Sequence, residues 1–253
     1  FLNVLALTLG LLRERESRER RHLQKLENLA QIGKTVSGIA HDMKIPLVAI
    51  AGFSRRLLKK LADDHPYREQ LTIIHQEAQR LEHMVKDMLE YARPLTINPS
   101  RQDIEALIRE SVTVVQPLAE ARQISLKTDN MAPGCKLHLD AARIKQVLIN
   151  LLTNAMQASP QGETVRVSTR QEGDEVFIEV TDNGRGLSTE QKENIFTPFF
   201  TTKKEGIGLG LVMVKNIVTA HGGQVEFFDN PPPQQGVTFR VTLPVAPPPS
   251  STA

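Results

Sequence analysis

The chain reads AARIKQVLINLLTNAMQA at residues 141–158, and this stretch has the spacing of an amphipathic α-helix. Its apolar residues recur at steps of three and four, as on one face of a helix. Polar residues recur at the same steps and share another face: Arg143, Gln146, Asn150 and Asn154. Asn150 and Asn154 stand inside a run of leucines, so a merely solvated face is the less favoured interpretation. Two aligned amides on such a helix suggest a platform for a metal ion and a phosphate group.

A second polar segment, DNGRG at residues 182–186, directly follows a predicted strand over Glu175–Val180. The carboxylate of Asp182 only accepts hydrogen bonds, so it suits the amino group of adenine, and the glycines would let a flat base lie against the backbone. Aspartate, asparagine and glycine are equally typical of an ordinary turn after a strand. This segment alone leaves both interpretations open.

A third segment, GIGLGL at residues 206–211, opens a helix predicted over Leu209–Ala220 that ends at Gly222 and Gly223. Glycines allow backbone N–H groups to approach phosphate oxygens, and the start of a helix adds partial positive charge. The segment lacks the Gly-Lys-Ser/Thr ending of a P-loop. Taken alone, it also fits a tight connection.

The pattern of the second half predicts a mixed sheet with helices on one face, because alternating strands and helical stretches follow one another. A hairpin turn is predicted over residues 172–174. The predicted strands are Ile124–Thr128, Lys136–Leu139, Thr164–Thr169, Glu175–Val180, Gln224–Phe228 and Val237–Leu243, and the predicted helices are Ile104–Ala121, Ala141–Ala158 and Leu209–Ala220.

The first half predicts two long helices. Apolar or small residues follow steps of three and four from Leu26 to Leu61, residues 63–66 interrupt them, and a second series runs from Leu71 to Ala92. An antiparallel hairpin with one apolar stripe leaves that stripe exposed, so two copies would bury it in a four-helix bundle. We therefore expect a homodimer, and the fold class is α+β with two domains.

The segment HDMKIP at residues 41–46 lies in the first predicted helix. A lone histidine there is usually a surface or packing residue. Asp42 can hydrogen-bond one imidazole nitrogen of His41, which fixes the tautomer and leaves the other nitrogen free to attack phosphorus. Pro46 removes a helix hydrogen bond and should bend the helix just after the histidine.

The composition excludes several classes of protein. The 253 residues are 40% hydrophobic and 24% charged, as in folded proteins, and a net charge of +2 gives no reason to expect direct binding of nucleic acid. Cys135 is the only cysteine, so no internal disulfide can form. We expect a reducing compartment, the cytoplasm, and no structural zinc.

The start of the chain suggests a fragment whose upstream sensor is missing, because Phe1 stands where methionine would. Residues 1–12 are largely apolar, too short to cross a bilayer, and precede a cluster of arginines. We expect the inner end of a membrane anchor, with the tail of a soluble sensor domain as the alternative. The expected domains are a membrane-proximal or signal-transmitting segment 1–22, a dimerisation and phosphotransfer domain 23–95, a linker 96–102, an ATP-binding domain 103–245 and a disordered tail 246–253.

The second half resembles the GHKL (Bergerat) ATPases, which include sensor histidine kinases, gyrase and certain chaperones. The resemblance rests on NLLTNA at 150–155, DNGRG at 182–186, FTPFF at 196–200 and GIGLG at 206–210. It implies that Asn154 binds Mg²⁺, that Asn150 lies by the phosphates and that Asp182 reads adenine. Lys203 and Lys204 would lie on a short ATP lid. The implied ATP-binding residues are Asn150, Asn154, Asp182, Gly184, Gly186, Phe199, Lys203, Gly206, Gly208 and Gly210.

The hairpin over about Leu23–Arg93 resembles histidine kinase dimerisation domains. This implies that His41 accepts the phosphoryl group from Mg-ATP, that Asp42 is the general base, and that a response regulator aspartate receives the group. Residues 196–203, the short lid and the ending AHGG at residues 220–223 look most like the nitrogen-regulation type of sensor kinase, which suggests a regulator of the enhancer-binding class. With the anchor expected at the start of the chain, the full-length protein would lie in the bacterial inner membrane.

Two positions depart from the family pattern. Ile45 replaces a threonine or asparagine that positions water for dephosphorylation of the regulator, so we expect impaired phosphatase activity. Ile207 replaces a threonine or serine in the glycine-rich segment. The alternatives are a GHKL ATPase that drives a conformational clamp, and a degenerate kinase that acts as a dimeric scaffold.

Overall fold

The computed structural model of the chain describes residues 43–129, 134–203 and 206–245. It divides into two compact units, Phe1–Pro94 and Leu95–Ala253. The predictions for segment 1–22, His41, Asp42, Lys204 and tail 246–253 lie outside the described residues. Within the described ranges, no helix has the length and apolar character that a bilayer span requires.

The first unit is the predicted helical hairpin, which is confirmed. Its described part comprises helix α1 over 43–60 and helix α2 over Arg68–Ala92. The Arg68 guanidinium donates to the carbonyl oxygens of Leu58 at 3.0 Å and Leu61 at 2.9 Å, which would otherwise be unpaired at the end of α1. The same guanidinium pairs with Asp63 at 2.9 Å, so one side chain closes the turn.

The hairpin buries little of its apolar surface within one chain. Leu47 and Val85 form a small buried cluster with Leu81 and Leu89. The exposed large apolar side chains on the two helices are Met43, Ile45, Val48, Ile50, Phe53, Leu57, Ile73 and Ile74. An apolar face of this size is typical of a surface that another chain covers.

The second unit is an α/β sandwich with the predicted mixed sheet and helices, so this prediction is also confirmed. A five-stranded sheet in the order β2-β4-β5-β7-β6 has β2 parallel to β4 and its other pairs antiparallel, and β1 pairs with β3 in a separate two-stranded sheet. The strands are β1 Ser100–Asp103, β2 Ser125–Asp129, β3 Lys136–Leu139, β4 Thr164–Glu172, β5 Glu175–Thr181, β6 Gln224–Asp229 and β7 Val237–Pro244. The helices are α3 Ile104–Ala121, α4 Ala141–Ala158, α5 Thr189–Asn194 and α6 Gly210–Ala220.

Side-chain caps explain where the long helices begin. Asp103 accepts hydrogen bonds from the first backbone N–H groups of α3, and Asp140 accepts from Arg143 N at 3.1 Å at the start of α4. Helix α4 ends at Ala158, and its C-cap residue Ser159 stands directly before Pro160. Apolar residues of α3, α4 and α6 form one core with the sheet.

Two short elements were missed by the sequence patterns. Strand β1 pairs with β3 through Ser100–Leu139 to Asp103–Lys136, so the last three residues of the predicted linker 96–102 lie in a strand. Its four residues are polar and show no alternation. Helix α5 has six residues and begins at a capping box between Ser188 and Gln191.

Candidate nucleotide-binding site

Helices α4 and α6 lie side by side and run in opposite directions. The Asn150 side chain donates to the carbonyl oxygen of Gly210, the first residue of α6, over a long 3.5 Å. At the other end of the pair, Asp140 N donates to Nε2 of His221, which follows the last residue of α6. The glycine-rich start of α6 therefore lies beside the asparagine face of α4.

Asp182 is held in one orientation at the end of β5. It is only 4% exposed, and its Oδ1 accepts hydrogen bonds from Gly184 N at 2.8 Å and Val237 N at 3.2 Å. Among the described residues, no donor reaches Oδ2. The carboxylate therefore keeps an oxygen that can accept from an amino group of a ligand.

The loop after Asp182 packs tightly against the end of α4. A Cβ atom at Gly184 would lie 2.7 Å from the carbonyl oxygen of Ala158, closer than real contacts allow. Glycine is required there because the backbone of one element approaches the backbone of another. The packing brings the Asp182 loop next to the helix that carries Asn154.

The glycine-rich segment 206–210 packs closely against the backbone of the segment FTPFF at residues 196–200. Gly208 has φ +74°, and a Cβ there would lie 2.3 Å from the carbonyl oxygen of Phe200. Both the backbone angle and the space exclude a larger residue. Phe199, predicted to contact ATP, also has a positive φ of 66° and is 51% exposed.

Lys203 extends from the loop before α6 to the polar face of α4. Its Nζ donates to Asn154 Oδ1 at 2.6 Å and to Gln157 Oε1 at 2.5 Å. The residue as a whole is exposed, whereas its amine is partly desolvated by surrounding protein atoms. Two amide oxygens therefore meet at one cation, and neutral oxygens of this kind are also ligands for Mg²⁺. By its donor chemistry, the site fits the ion that the family resemblance implies.

The electrostatics of the site reflect this partial burial. Burial raises the pKa of the Asp182 carboxyl, although hydrogen bonds from Gly184 and Val237 and the charge of Lys203 act in the opposite direction. Burial of the amine, with the positive charge of Arg122, lowers the pKa of Lys203 to about 8, against the effect of the Asp182 carboxylate. The two charged groups of the site lie close enough to influence each other.

The residues predicted to bind ATP all lie in the second unit, on α4, after β5 and around the start of α6. The predicted residues of the hairpin belong to the first unit. Ile45 lies on α1, in the first unit, and is 67% exposed. The residues predicted to bind ATP lie as follows: Asn150 and Asn154 on α4; Asp182, Gly184 and Gly186 after β5; Phe199, Lys203, Gly206 and Gly208 in the segment before α6; and Gly210 at its start.

Three residues of the site were not predicted. Gln157 and Asn154 both accept a hydrogen bond from Lys203. Gln157 lies three residues after Asn154 on the same helix face, and this spacing could have identified Gln157 as a site residue. Asn230 Nδ2 donates to the carbonyl oxygen of Asp182 at 2.8 Å, and its Oδ1 accepts from Thr238 at 2.7 Å. These contacts of Asn230, like that of His221 with Asp140, join distant parts of the chain and leave no local pattern.

Comparison with known families matches the two units separately. Residues 139–247 match the family of histidine kinase-, DNA gyrase B- and HSP90-like ATPases. Residues 31–96 match the His Kinase A (phospho-acceptor) domain. The second unit therefore belongs to a class of ATP-binding domains, and a phosphoacceptor hairpin precedes it in the same chain.

Individual relatives agree with these matches. The sensor histidine kinase ZraS of Klebsiella oxytoca is 35% identical over 236 residues, which cover 91% of this chain and 51% of ZraS. Full-length ShkA, solved in complex with AMPPNP, superposes with a TM-score of 0.70 at 25% identity, over 86% of this chain and 47% of ShkA.

Histidine kinase ThkA provides two further structures. Its complex with the response regulator protein TrrA superposes with a TM-score of 0.65 at 30% identity, over 92% of this chain and 66% of that chain. Its catalytic domain alone is 32% identical with a TM-score of 0.54, over 59% of this chain and 97% of the domain. The chain belongs to the sensor histidine kinase family. It spans about half the length of the curated relatives it matches.

Proposed function

We propose that the chain is the catalytic core of a sensor histidine kinase, which phosphorylates His41 from Mg-ATP and passes the group to a response regulator. The observation that carries the proposal is the Asp182 carboxylate, held by Gly184 and Val237 with one oxygen left to accept from adenine. The preceding hairpin matches a phosphoacceptor domain. Its histidine, His41, would be the second substrate of the reaction.

We assign a role to each residue that the family resemblance places at the ATP site. Asp182 accepts from the adenine amino group, while Gly184 and Gly186 allow the base to approach the backbone. The segment before α6, with Gly206 and Gly208, and the start of α6 at Gly210 would direct N–H groups and partial positive charge at the phosphates. Asn150, Lys203 and Phe199 complete the site around the triphosphate. ShkA, solved with AMPPNP, supports a nucleotide as the ligand.

The transfer itself needs positioned groups and compensated charge. Asn154 would hold Mg²⁺, which offsets the charge of the phosphates when it is bound with the nucleotide. Asp42, the proposed general base, would accept the N–H of His41 and leave the other ring nitrogen with a lone pair that attacks the γ-phosphorus. The new N–P bond forms as the bond from phosphorus to the ADP oxygen breaks.

The second transfer would place the phosphoryl group on an aspartate of a receiver domain. The ThkA complex supports such a partner because that kinase is similar along most of this chain and was solved with a response regulator. The sequence of residues 196–203 suggests the nitrogen-regulation subgroup, and thus a regulator of the enhancer-binding class.

We further infer that the protein is a homodimer with a cytoplasmic catalytic core and an anchor in the bacterial inner membrane. The exposed apolar side chains of the hairpin, such as Phe53 at 63% and Ile73 at 58%, support pairing with a second copy. The basic cluster after residues 1–12 supports the anchor. Ile45 leaves the kinase with impaired phosphatase activity.

Labelling with γ-³²P-ATP tests the kinase proposal. The expected result is a protein-bound label that is lost in acid, stable in base and absent from a His41→Ala variant. A His83→Ala variant is the control, because His83 is an exposed histidine of the same hairpin. Phosphate released to water without a protein label would indicate the ATPase clamp instead, and failure to bind ATP would indicate the scaffold.

A further inference from the structure

Asn154 and Gln157 form a two-oxygen site for a cation on α4. They lie three residues apart, so their side chains share one face of the helix. Both amide oxygens accept from the same ammonium group, that of Lys203, at 2.6 Å and 2.5 Å. The lysine comes from a segment 46 to 49 residues further along the chain, so the contact fastens the loop before α6 to the helix.

We propose that the Lys203 ammonium and a Mg²⁺ ion are alternative cations at Asn154, and that Gln157 is the positioning residue that favours the lysine. The inference rests on the proposed ATP site and deepens it. It assigns a role to Gln157 and makes the lid lysine a competitor of the ion rather than only its helper at the phosphates.

Geometry makes the two cations compete. A Mg²⁺ ion binds oxygen at about 2.0–2.1 Å and demands near-octahedral geometry. The Lys203 amine already lies 2.6 Å from the Asn154 oxygen. Both cations on that oxygen would repel each other strongly at a separation of a few ångströms. Binding of the ion therefore requires the amine to move away from Asn154.

Gln157 biases this exchange because it offers the amine a second acceptor. The ammonium group has three hydrogens, and the two amides accept two of them. Without the Gln157 oxygen, the amine would be held by Asn154 alone and would leave more readily. The carboxylate of Asp182 also attracts the amine, whereas Arg122 repels it.

The competition has a measurable consequence in nucleotide binding. The ratio of the dissociation constant in EDTA to that in Mg²⁺ reports how much the ion strengthens binding. In the wild type, the free energy needed to displace the Lys203 amine from Asn154 reduces that gain. Removal of either the amine or its Gln157 acceptor should therefore raise the ratio, by at least about tenfold for loss of one hydrogen bond to a charged group.

Calorimetric titration of the full chain with AMPPNP, in Mg²⁺ and in EDTA, tests this. The variants are Lys203→Met and Gln157→Met, which keep the side-chain length and remove the polar atoms. The controls are Lys145→Met, on the same helix but paired with Glu110, and Gln116→Met, an amide on α3 that donates to Glu120. Thermal unfolding of each variant checks that it is folded.

The inference requires a higher ratio in both site variants and wild-type ratios in both controls. An unchanged ratio in Gln157→Met would overturn it. A lower ratio in Lys203→Met would also overturn it, since the lysine and the ion would then act together. If the wild type binds no AMPPNP in either buffer, the ATP site itself is wrong and the inference falls with it. Binding with an unchanged ratio would contradict the inference alone.

Discussion

The backbone N–H of Asp140 donates a 3.0 Å hydrogen bond to Nε2 of His221, which lies 81 positions further along the chain. Nδ1 of the same ring contacts the carbonyl oxygen of Ile217 at 2.8 Å, so the neutral tautomer with hydrogen on Nδ1 satisfies both contacts. The imidazole is 3% exposed. It therefore joins the start of α4 to the end of α6, and these two helices carry the asparagine and glycine parts of the site.

Replacement of His221 by alanine should lower the free energy of unfolding by about 1–3 kcal/mol, because the Asp140 N–H loses its acceptor in a partly buried place. Urea unfolding followed by circular dichroism measures the change. His138→Ala is the control, because His138 is an exposed residue of β3. Equal losses for the two variants would contradict a joining role for His221.

Gly208→Ala should cost more stability than Gly173→Ala. Both glycines have positive φ, +74° and +58°, so both substitutions carry the strain of a left-handed backbone, about 1–2 kcal/mol. Only Gly208 lacks space: its Cβ would lie 2.3 Å from the Phe200 oxygen, whereas a Cβ at Gly173 meets nothing within 4 Å. The comparison separates crowding from strain.

Urea unfolding and AMPPNP titration together measure this difference. We expect Gly173→Ala to keep wild-type affinity for AMPPNP, because it lies in the turn between β4 and β5. Gly208→Ala should lose affinity as well as stability, since α6 begins two residues later. If the two variants proved equally stable, the close approach of a Cβ at Gly208 to Phe200 would have no measurable cost in stability.

The elements with strong local signals were predicted well. Helix α4 has the predicted bounds because an aspartate cap, a helical apolar period and a proline after the end all mark the same stretch. Helix α3 and strand β3 also have their predicted bounds. Strand β1 was missed because a strand of four polar residues is specified by its partner β3 rather than by its own pattern.

The residues of the candidate site also differ in whether a local sequence pattern predicts them. Asp182 and Asn154 stand in motifs of polar residues and glycines at fixed spacing, so the sequence alone was enough to predict them as binding residues. Gln157, Asn230 and His221 owe their roles to contacts across 46, 48 and 81 residues. Such contacts depend on the path of the chain through the whole unit, which no local pattern encodes.

Asp182→Asn should weaken nucleotide binding and yet stabilise the protein at pH 7. The amide oxygen can still accept from Gly184 N and Val237 N, but its other atom is a donor that opposes the adenine amino group. Loss of a charge-assisted hydrogen bond should weaken AMPPNP binding by about 10- to 100-fold. Asp174→Asn, in the exposed hairpin turn, is the matched control.

The stability gain should depend on pH. Burial raises the pKa of the Asp182 carboxyl above its ordinary value of 3.8, so the folded protein binds this proton more tightly than the unfolded chain. Stability contributed by this group is therefore lost as pH rises from that ordinary value through the raised pKa. The advantage of Asp182→Asn should be largest at pH 7 and shrink towards pH 4. A constant difference across that range would contradict the direction of the shift.

Ile45→Thr should raise the rate at which the protein dephosphorylates its regulator by about a hundredfold, the lower end of what a well-positioned proton-transfer group contributes. The Ile45 side chain is 67% exposed on α1, so a hydroxyl there can reach water, whereas the isoleucine side chain cannot bind it. Autophosphorylation should change little. Val48→Thr, an exposed apolar position one turn further along α1, is the matched control.

The measurement is phosphate release from the phosphorylated regulator in the presence of ADP. Ile45→Thr should accelerate the release, and Val48→Thr should match the slow wild type. Fast release by the wild type, lost in His41→Ala or Asp42→Ala but unaffected by Ile45→Thr, would contradict the prediction. The water would then be positioned by residues other than the one four places after His41, and Ile45 would have no part in the balance between kinase and phosphatase.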